Sequence, residues 1–153
     1  MATVRRASAH WEGSLSAGAG DVSLDSSRLG PFAEGAALTA ENPPGRTSPM
    51  ELLAAAYASC VCGMVALILE RVGHPAEALN VSAAVELDLR DGIAGIRMAV
   101  GGDVPGIASE EFSTIVGRAK DGCPVGKALA GVPTTLDVAL TPDPRGAASP
   151  REP

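Results

Sequence analysis

The stretch SPMELLAAAYASCVCGMVALILERVG, residues 48–73, limits what this chain can fold into more than any other. Its start carries helix signals: Ser48 as N-cap, Pro49 at the first helical position, and Glu51 three residues after Ser48, a capping-box pattern. Its end carries stop signals, Gly73 and then Pro75. The spacing predicts one helix from Pro49 to Val72. Between its ends this helix is apolar on every side for most of its length, so it belongs at the centre of the fold. The run Leu52–Leu69 is interrupted by Ser59 and Gly63 and is rich in alanine, which makes it a marginal membrane span and a better buried helix.

On either side of the helix the pattern is that of strands. AHWEGSL and VSL flank the Gly-rich turn AGAGD, and a third strand is predicted near GAALTAE, ahead of the loop ENPPGRT. Downstream, Val81, Ala83, Val85, Leu87 and Leu89 alternate with Ser, Ala, Glu, Asp and Arg. Asp91–Gly92 marks a turn, and IAGIRMAV returns as the second arm of a hairpin. Ser109 opens a helix with Glu110 and Glu111 in its first turn, running to Lys120. A short second helix runs from Cys123 and Pro124 to Gly131, and PTTLDVAL is the last strand. Strands, long helix, hairpin, two helices and strand make an α+β domain over residues 1–140. The Pro-rich tail 141–153, TPDPRGAASPREP, is expected to be disordered.

Composition removes several function classes. A net charge of -6, with no run of Lys and Arg, argues against a nucleic-acid partner. Three cysteines are too few, and odd in number, for a disulfide scaffold, and MATVRRASAHWEG lacks the apolar core of a secretory signal, so the cytoplasm is the expected compartment. No membrane association is expected. His10 and His74 stand apart from the cysteines in sequence, so no metal or other cofactor is expected.

The cysteines carry the chemistry. Cys60 and Cys62, two apart on one helix, point about 200° from each other and cannot serve one small site together. Cys60 alone reads equally as a small buried apolar residue. Cys123, between Gly122 and Pro124, sits at a helix start, where free backbone N–H groups and the helix dipole favour a thiolate, and should be accessible.

TSPMELLAAAYASC and GCPVGKALAG together resemble the two signature segments of the OsmC/Ohr family of thiol peroxidases. The first family segment is roughly T-[NS]-P-E-[EQ]-L-[FIL]-A-A-[AG]-[HY]-A-[AS]-C, and the second is C-P-[VY]-[SG] followed by a helix. Weaker similarity in AHWEG, GDVSL and VPGI spreads the resemblance over residues 8–140. The resemblance implies an intertwined homodimer, with antiparallel sheets from both chains around two long central helices. It implies that Cys60 attacks an organic hydroperoxide and that Cys123 resolves the resulting sulfenic acid as a Cys60–Cys123 disulfide. A dithiol of the lipoyl type would then recycle the enzyme. Cys62 has no counterpart in the motif and is expected to pack.

In the family an arginine from the preceding strand-loop region favours the attacking thiolate, and a glutamate directly after the motif proline holds that arginine. Here the glutamate position is Met50, and an ungapped count puts the arginine position at Ala40. With a gap, Arg46 or Arg28 enters; Arg46 is the candidate stand-in, and Glu51 can either hold it or serve the capping box. The departures leave a second expectation open. In that alternative the chain has weak or lost peroxidase activity and binds a small hydrophobic or sulfur-containing ligand at the dimer interface.

Overall fold

A computed structural model describes residues 2–35 and 44–140 of the chain. The chain divides into two compact units, Met1–Leu52 and Leu53–Pro153. The predicted tail lies outside the described residues.

The first unit is built on a three-stranded antiparallel sheet in the order β1 (Ser8–Glu12), β2 (Ala19–Leu24), β3 (Leu29–Glu34). The Gly-rich turn between β1 and β2 has a packing reason, since a Cβ at Gly18 would overlap Glu12 O and fall 2.8 Å from Trp11 Nε1. The third strand lies ahead of the predicted GAALTAE, whose residues 36–41 fall outside the described ones. Its Gly30 and Pro31 conceal it in the sequence. They are tolerated because β3 is an edge strand, where a residue without an N–H leaves no ladder bond unmade. The chain returns to β3 just before the long helix, where Thr47 donates its N–H to Ala33 O at 2.8 Å and accepts from Gly35 N at 2.9 Å.

The long helix α1 spans Pro49–Arg71, close to the predicted bounds. Ser48 caps it, its Oγ accepting from Glu51 N at 3.2 Å. The other half of the capping box is redirected, because the Glu51 carboxylate accepts the Thr47 hydroxyl at 2.9 Å. At the far end Gly73 takes φ +86°. Gly73 N donates to Glu70 O and His74 N to Leu69 O, which satisfies carbonyls the helix would otherwise leave open.

The second unit holds the rest of α1 and a sheet in the order β4 (Ala78–Asp88), β5 (Gly92–Asp103), β6 (Thr134–Leu140). The β4–β5 hairpin forms as predicted, but Leu89 lies in the turn, 69% exposed. Asp88 Oδ1 ends the strand early by accepting from Arg90 N at 2.7 Å and Asp91 N at 3.1 Å. Two helices, α2 (Ser109–Gly122) and α3 (Pro124–Ala128), follow. Ser109 is the first helical residue rather than the cap, which is Ala108, and α3 stops short of the predicted Gly131. These helices carry the chain back across the sheet, so β6 pairs parallel to β5, in a sheet expected to be antiparallel throughout.

The core lies in this unit. It gathers Tyr57, Val61, Val65 and Leu69 from α1, Ile96, Met98 and Val100 from β5, and Phe112, Ile115, Val116 and Ala119 from α2. The α1 residues recur every fourth position and form one stripe. The rest of α1 is not covered by its own unit: only 22% of its most apolar 18-residue window is buried. By length and composition the helix could cross a membrane, and the expectation of a helix buried all round is not met within one chain.

Candidate active site

Cys60 stands three residues after Tyr57 and one before Val61, on the flank of the buried stripe, and packs against the core partly buried. Cys62, about 200° around the helix, is half-buried and does not join that core.

Cys123 occupies a hinge between two helices. Its backbone N–H closes α2 by donating to Ala119 O at 3.0 Å, and its side chain opens α3. With φ -72° and ψ 150° the residue is extended, as an N-cap must be, and Pro124 follows at the first helical position. Cys123 Sγ accepts from Gly126 N at 3.2 Å and donates to Lys120 O at 3.6 Å. Only glycine fits at 126, because a Cβ there would overlap the Lys120 carbonyl. The sequence GCPVG is therefore a mould for one thiol.

That thiol is fully buried, contrary to the expectation of an accessible one. Burial pushes the Cys123 pKa above its ordinary value. The Gly126 N–H works against this, and the neighbouring Cys60 side chain adds to it through hydrogen bonding and through charge. The expectation that the helix start favours a thiolate is thus reversed, because the backbone N–H groups of a five-residue helix, Gly126 first and Val125 after it, do not offset the loss of water in the core. Cys60 packs against the core cluster that contains Cys123, so the thiols of α1 and of the α2–α3 hinge are neighbours.

Beside the hinge lies a cleft of about 400 Å³ lined by Tyr57, Lys120, Asp121, Gly126 and Thr134, with Leu129, Ala130 and Val132 as its apolar wall. Tyr57 is almost wholly buried, and burial raises its pKa, opposed by the Lys120 charge and by a hydrogen bond with Thr134. Lys120 in turn pairs with Asp121.

Both raised groups predict how stability depends on pH. Each stays protonated in the folded state at a pH where it ionises in the unfolded chain, so the folded state binds more protons there. Stability is fully present below the ordinary thiol value of 9.0 and falls as pH climbs through the raised Cys123 value, with Tyr57 adding its share above 10.0. Thermal melts under reducing conditions should decline above about pH 9, and Cys123→Ala should flatten the first part of that decline.

Of the residues singled out from sequence, Cys60 and Cys123 are brought together. Arg46 is exposed in the turn before α1 and makes no ion pair among the described residues. Met50 is half-buried in the first turn of α1, and Ala40 lies outside the described residues. Glu51 holds Thr47, so its sequence-based pairing with Arg46 is not formed. Tyr57 received no role from the motif. Its signal was present all the same, since the i to i+3 spacing to Cys60 places both on one side of the helix.

An α+β fold with two neighbouring thiols, one on a long central helix and one at a Cys-Pro helix start, defines a recognisable class. The family model described as OsmC-like protein matches residues 42–137. The chain is 36% identical over 143 residues to Peroxiredoxin OsmC of Escherichia coli (strain K12), covering 92% of this chain and 99% of that protein. Among solved structures, an OsmC like protein from Mycoplasma pneumoniae matches with a TM-score of 0.69 at 15% identity, covering 92% of this chain and 98% of that one. The organic hydroperoxide resistance protein OhrB of Bacillus subtilis matches with a TM-score of 0.57 at 22% identity, covering 89% and 98%. The chain belongs to the OsmC-like family.

Proposed function

We propose that this protein is a cytoplasmic, homodimeric, thiol-dependent peroxidase that reduces organic hydroperoxides. The observation that carries the proposal is the placement of Cys60 against Cys123. In the first step the Cys60 thiolate attacks one oxygen of the O–O bond. An S–O bond forms, the O–O bond breaks, and the alcohol leaves with a proton, giving a sulfenic acid at Cys60. Cys123 then attacks that sulfur, forming the Cys60–Cys123 disulfide and releasing water. A dithiol, of the lipoyl type by family resemblance, reduces the disulfide and is itself oxidised. On sequence grounds alone, Arg46 takes the cationic role that the family gives to an arginine. The names of the relatives, a peroxiredoxin and an organic hydroperoxide resistance protein, support the same chemistry.

A second copy of the chain answers the uncovered face of α1. Ala55, Ala56, Ser59, Gly63 and Ala66 are exposed along it. They are small enough to let another helix approach closely.

Following NADH consumption in a lipoamide-coupled assay tests the function. Cumene hydroperoxide should be turned over faster than hydrogen peroxide; where Arg46 serves Cys60, Arg46→Ala should lose most of the activity at pH 7, and where it does not, the wild type should be weak at pH 7 and rise toward pH 9. No turnover of either peroxide would contradict the peroxidase and leave the ligand-binding alternative.

A further inference from the structure

Two hydrogen bonds hold the Cys123 thiol, and each serves a backbone group that the local helix cannot. A helix continuing past Lys120 would pair that carbonyl with the N–H four residues on. That residue is Pro124, which has none, and Cys123 Sγ donates to Lys120 O in its place at 3.6 Å. Gly126 is the third residue of α3, where the N–H meets no carbonyl inside the helix, and Sγ accepts it at 3.2 Å. One S–H group therefore closes α2 and caps α3. Helices of five residues are marginal on their own, and in α3 Pro124, Lys127 and Ala128 are exposed, Val125 is half-buried and only Gly126 is buried. Gly126 touches the sulfur and also lines the cleft, together with Leu129 and Ala130 of the segment that follows. Resting on the peroxidase reading, we propose that α3 is a redox-operated gate. It is latched by the Cys123 thiol and released when that thiol becomes part of the Cys60–Cys123 disulfide, which opens the buried sulfur to a dithiol reductant in the cleft.

The latch depends on the thiol proton. As the Cys123 sulfur forms the S–S bond, the S–O bond of the Cys60 sulfenic acid breaks. Hydroxide leaves with that electron pair, and the thiol proton joins it as water. The organic hydroperoxide of the preceding step is the only oxidant. A disulfide sulfur carries no hydrogen, so Lys120 O loses this donor outright, and bonding to Cys60 draws Sγ toward α1 and off the Gly126 N–H. The sulfur is fully buried, and Gly126 lies so close against the Lys120 carbonyl that a Cβ would overlap it. Water therefore cannot replace the lost partners while α3 stays in place, and leaving buried backbone groups unpaired favours opening. The dithiol then attacks the Cys123 sulfur, and Cys60 leaves as a thiolate. Its second thiol displaces Cys123, the two dithiol protons return to the cysteines, and the reductant departs as its own disulfide. With its S–H restored, Cys123 latches α3 again.

Hydrogen–deuterium exchange of the full chain, reduced and after one equivalent of cumene hydroperoxide, tests the gate, with peptide mapping of the same samples to record the disulfide. In the disulfide form, peptides covering residues 124–131 should exchange about 10-fold faster, the size of a lost buried hydrogen bond. The amides that report it are those of Lys127 and Leu129, which donate to Cys123 O and Val125 O in the closed form. The β4–β5 hairpin should keep its reduced-state rate. Two variants read the latch without peroxide. Cys123→Ala removes donor and acceptor together and should speed exchange over 124–131 in the reduced protein. Cys123→Ser, whose hydroxyl both donates and accepts, should keep it slow before and after peroxide. A disulfide that forms while 124–131 exchanges as in the reduced protein would overturn the gate and leave the peroxidase standing. Equal exchange in the Ala and Ser variants, or faster exchange spread evenly over the chain, would also overturn it. Should the Ala variant not fold, the two wild-type forms decide. If peroxide produces no Cys60–Cys123 disulfide, the peroxidase reading fails and the gate falls with it.

Discussion

Cys60→Ser should lower the rate of cumene hydroperoxide reduction by at least about 10³-fold, with binding and fold unchanged. Sulfur attacks the O–O bond as a thiolate, and a serine hydroxyl offers no comparable anion near neutral pH, so the substitution removes the proposed nucleophile. Cys62→Ser should leave the rate nearly unchanged, because Cys62 points away from the core that holds the other two thiols. Cys123→Ser should behave differently again. The first equivalent of peroxide is consumed, turnover then stalls, and Cys60 is driven on to sulfinic acid. Comparing the steady-state rate and the burst of the three variants separates attack from resolution.

Gly63→Leu should weaken the proposed dimer without harming the fold of the single chain. Gly63 is exposed on α1, and a Cβ built there meets nothing within 4 Å in its own chain. Against a second copy the same position lies within the small-residue face, where added methylenes overpack a close helix contact at a cost of about 1–3 kcal/mol. That corresponds to roughly a 5-fold to 150-fold higher dissociation constant. Light scattering across a dilution series should show the variant dissociating at concentrations where the wild type remains dimeric. A wild-type protein that is a stable monomer at micromolar concentration would contradict the homodimer.

Much of this was legible because the signals were local. Ser48, Pro49 and Gly73 fixed α1 through caps that act within a turn of themselves, and the 81–88 alternation fixed the hairpin through side-chain period alone. The exceptions mark where tertiary context decided. Gly30 and Pro31 hide β3 because an edge strand relaxes the rule that excludes them. The parallel entry of β6 depends on where α2 and α3 return the chain, which no period in TTLDVAL encodes. Cys123 is the most instructive case. Its flanking Gly and Pro correctly announced a helix start, yet exposure depends on the core built by α1, β5 and α2, and that core outweighs the N–H groups of Gly126 and Val125. The same burial gave Tyr57 its place beside the site, which the motif could show only as a permitted residue.

The pairing of the two thiols is tested most directly by adding one equivalent of organic hydroperoxide to the reduced protein and mapping its peptides by mass spectrometry. A Cys60–Cys123 disulfide with Cys62 reduced is the predicted product. A Cys60–Cys62 link, or sulfinic acid at Cys60 beside an intact Cys123 thiol, would contradict it.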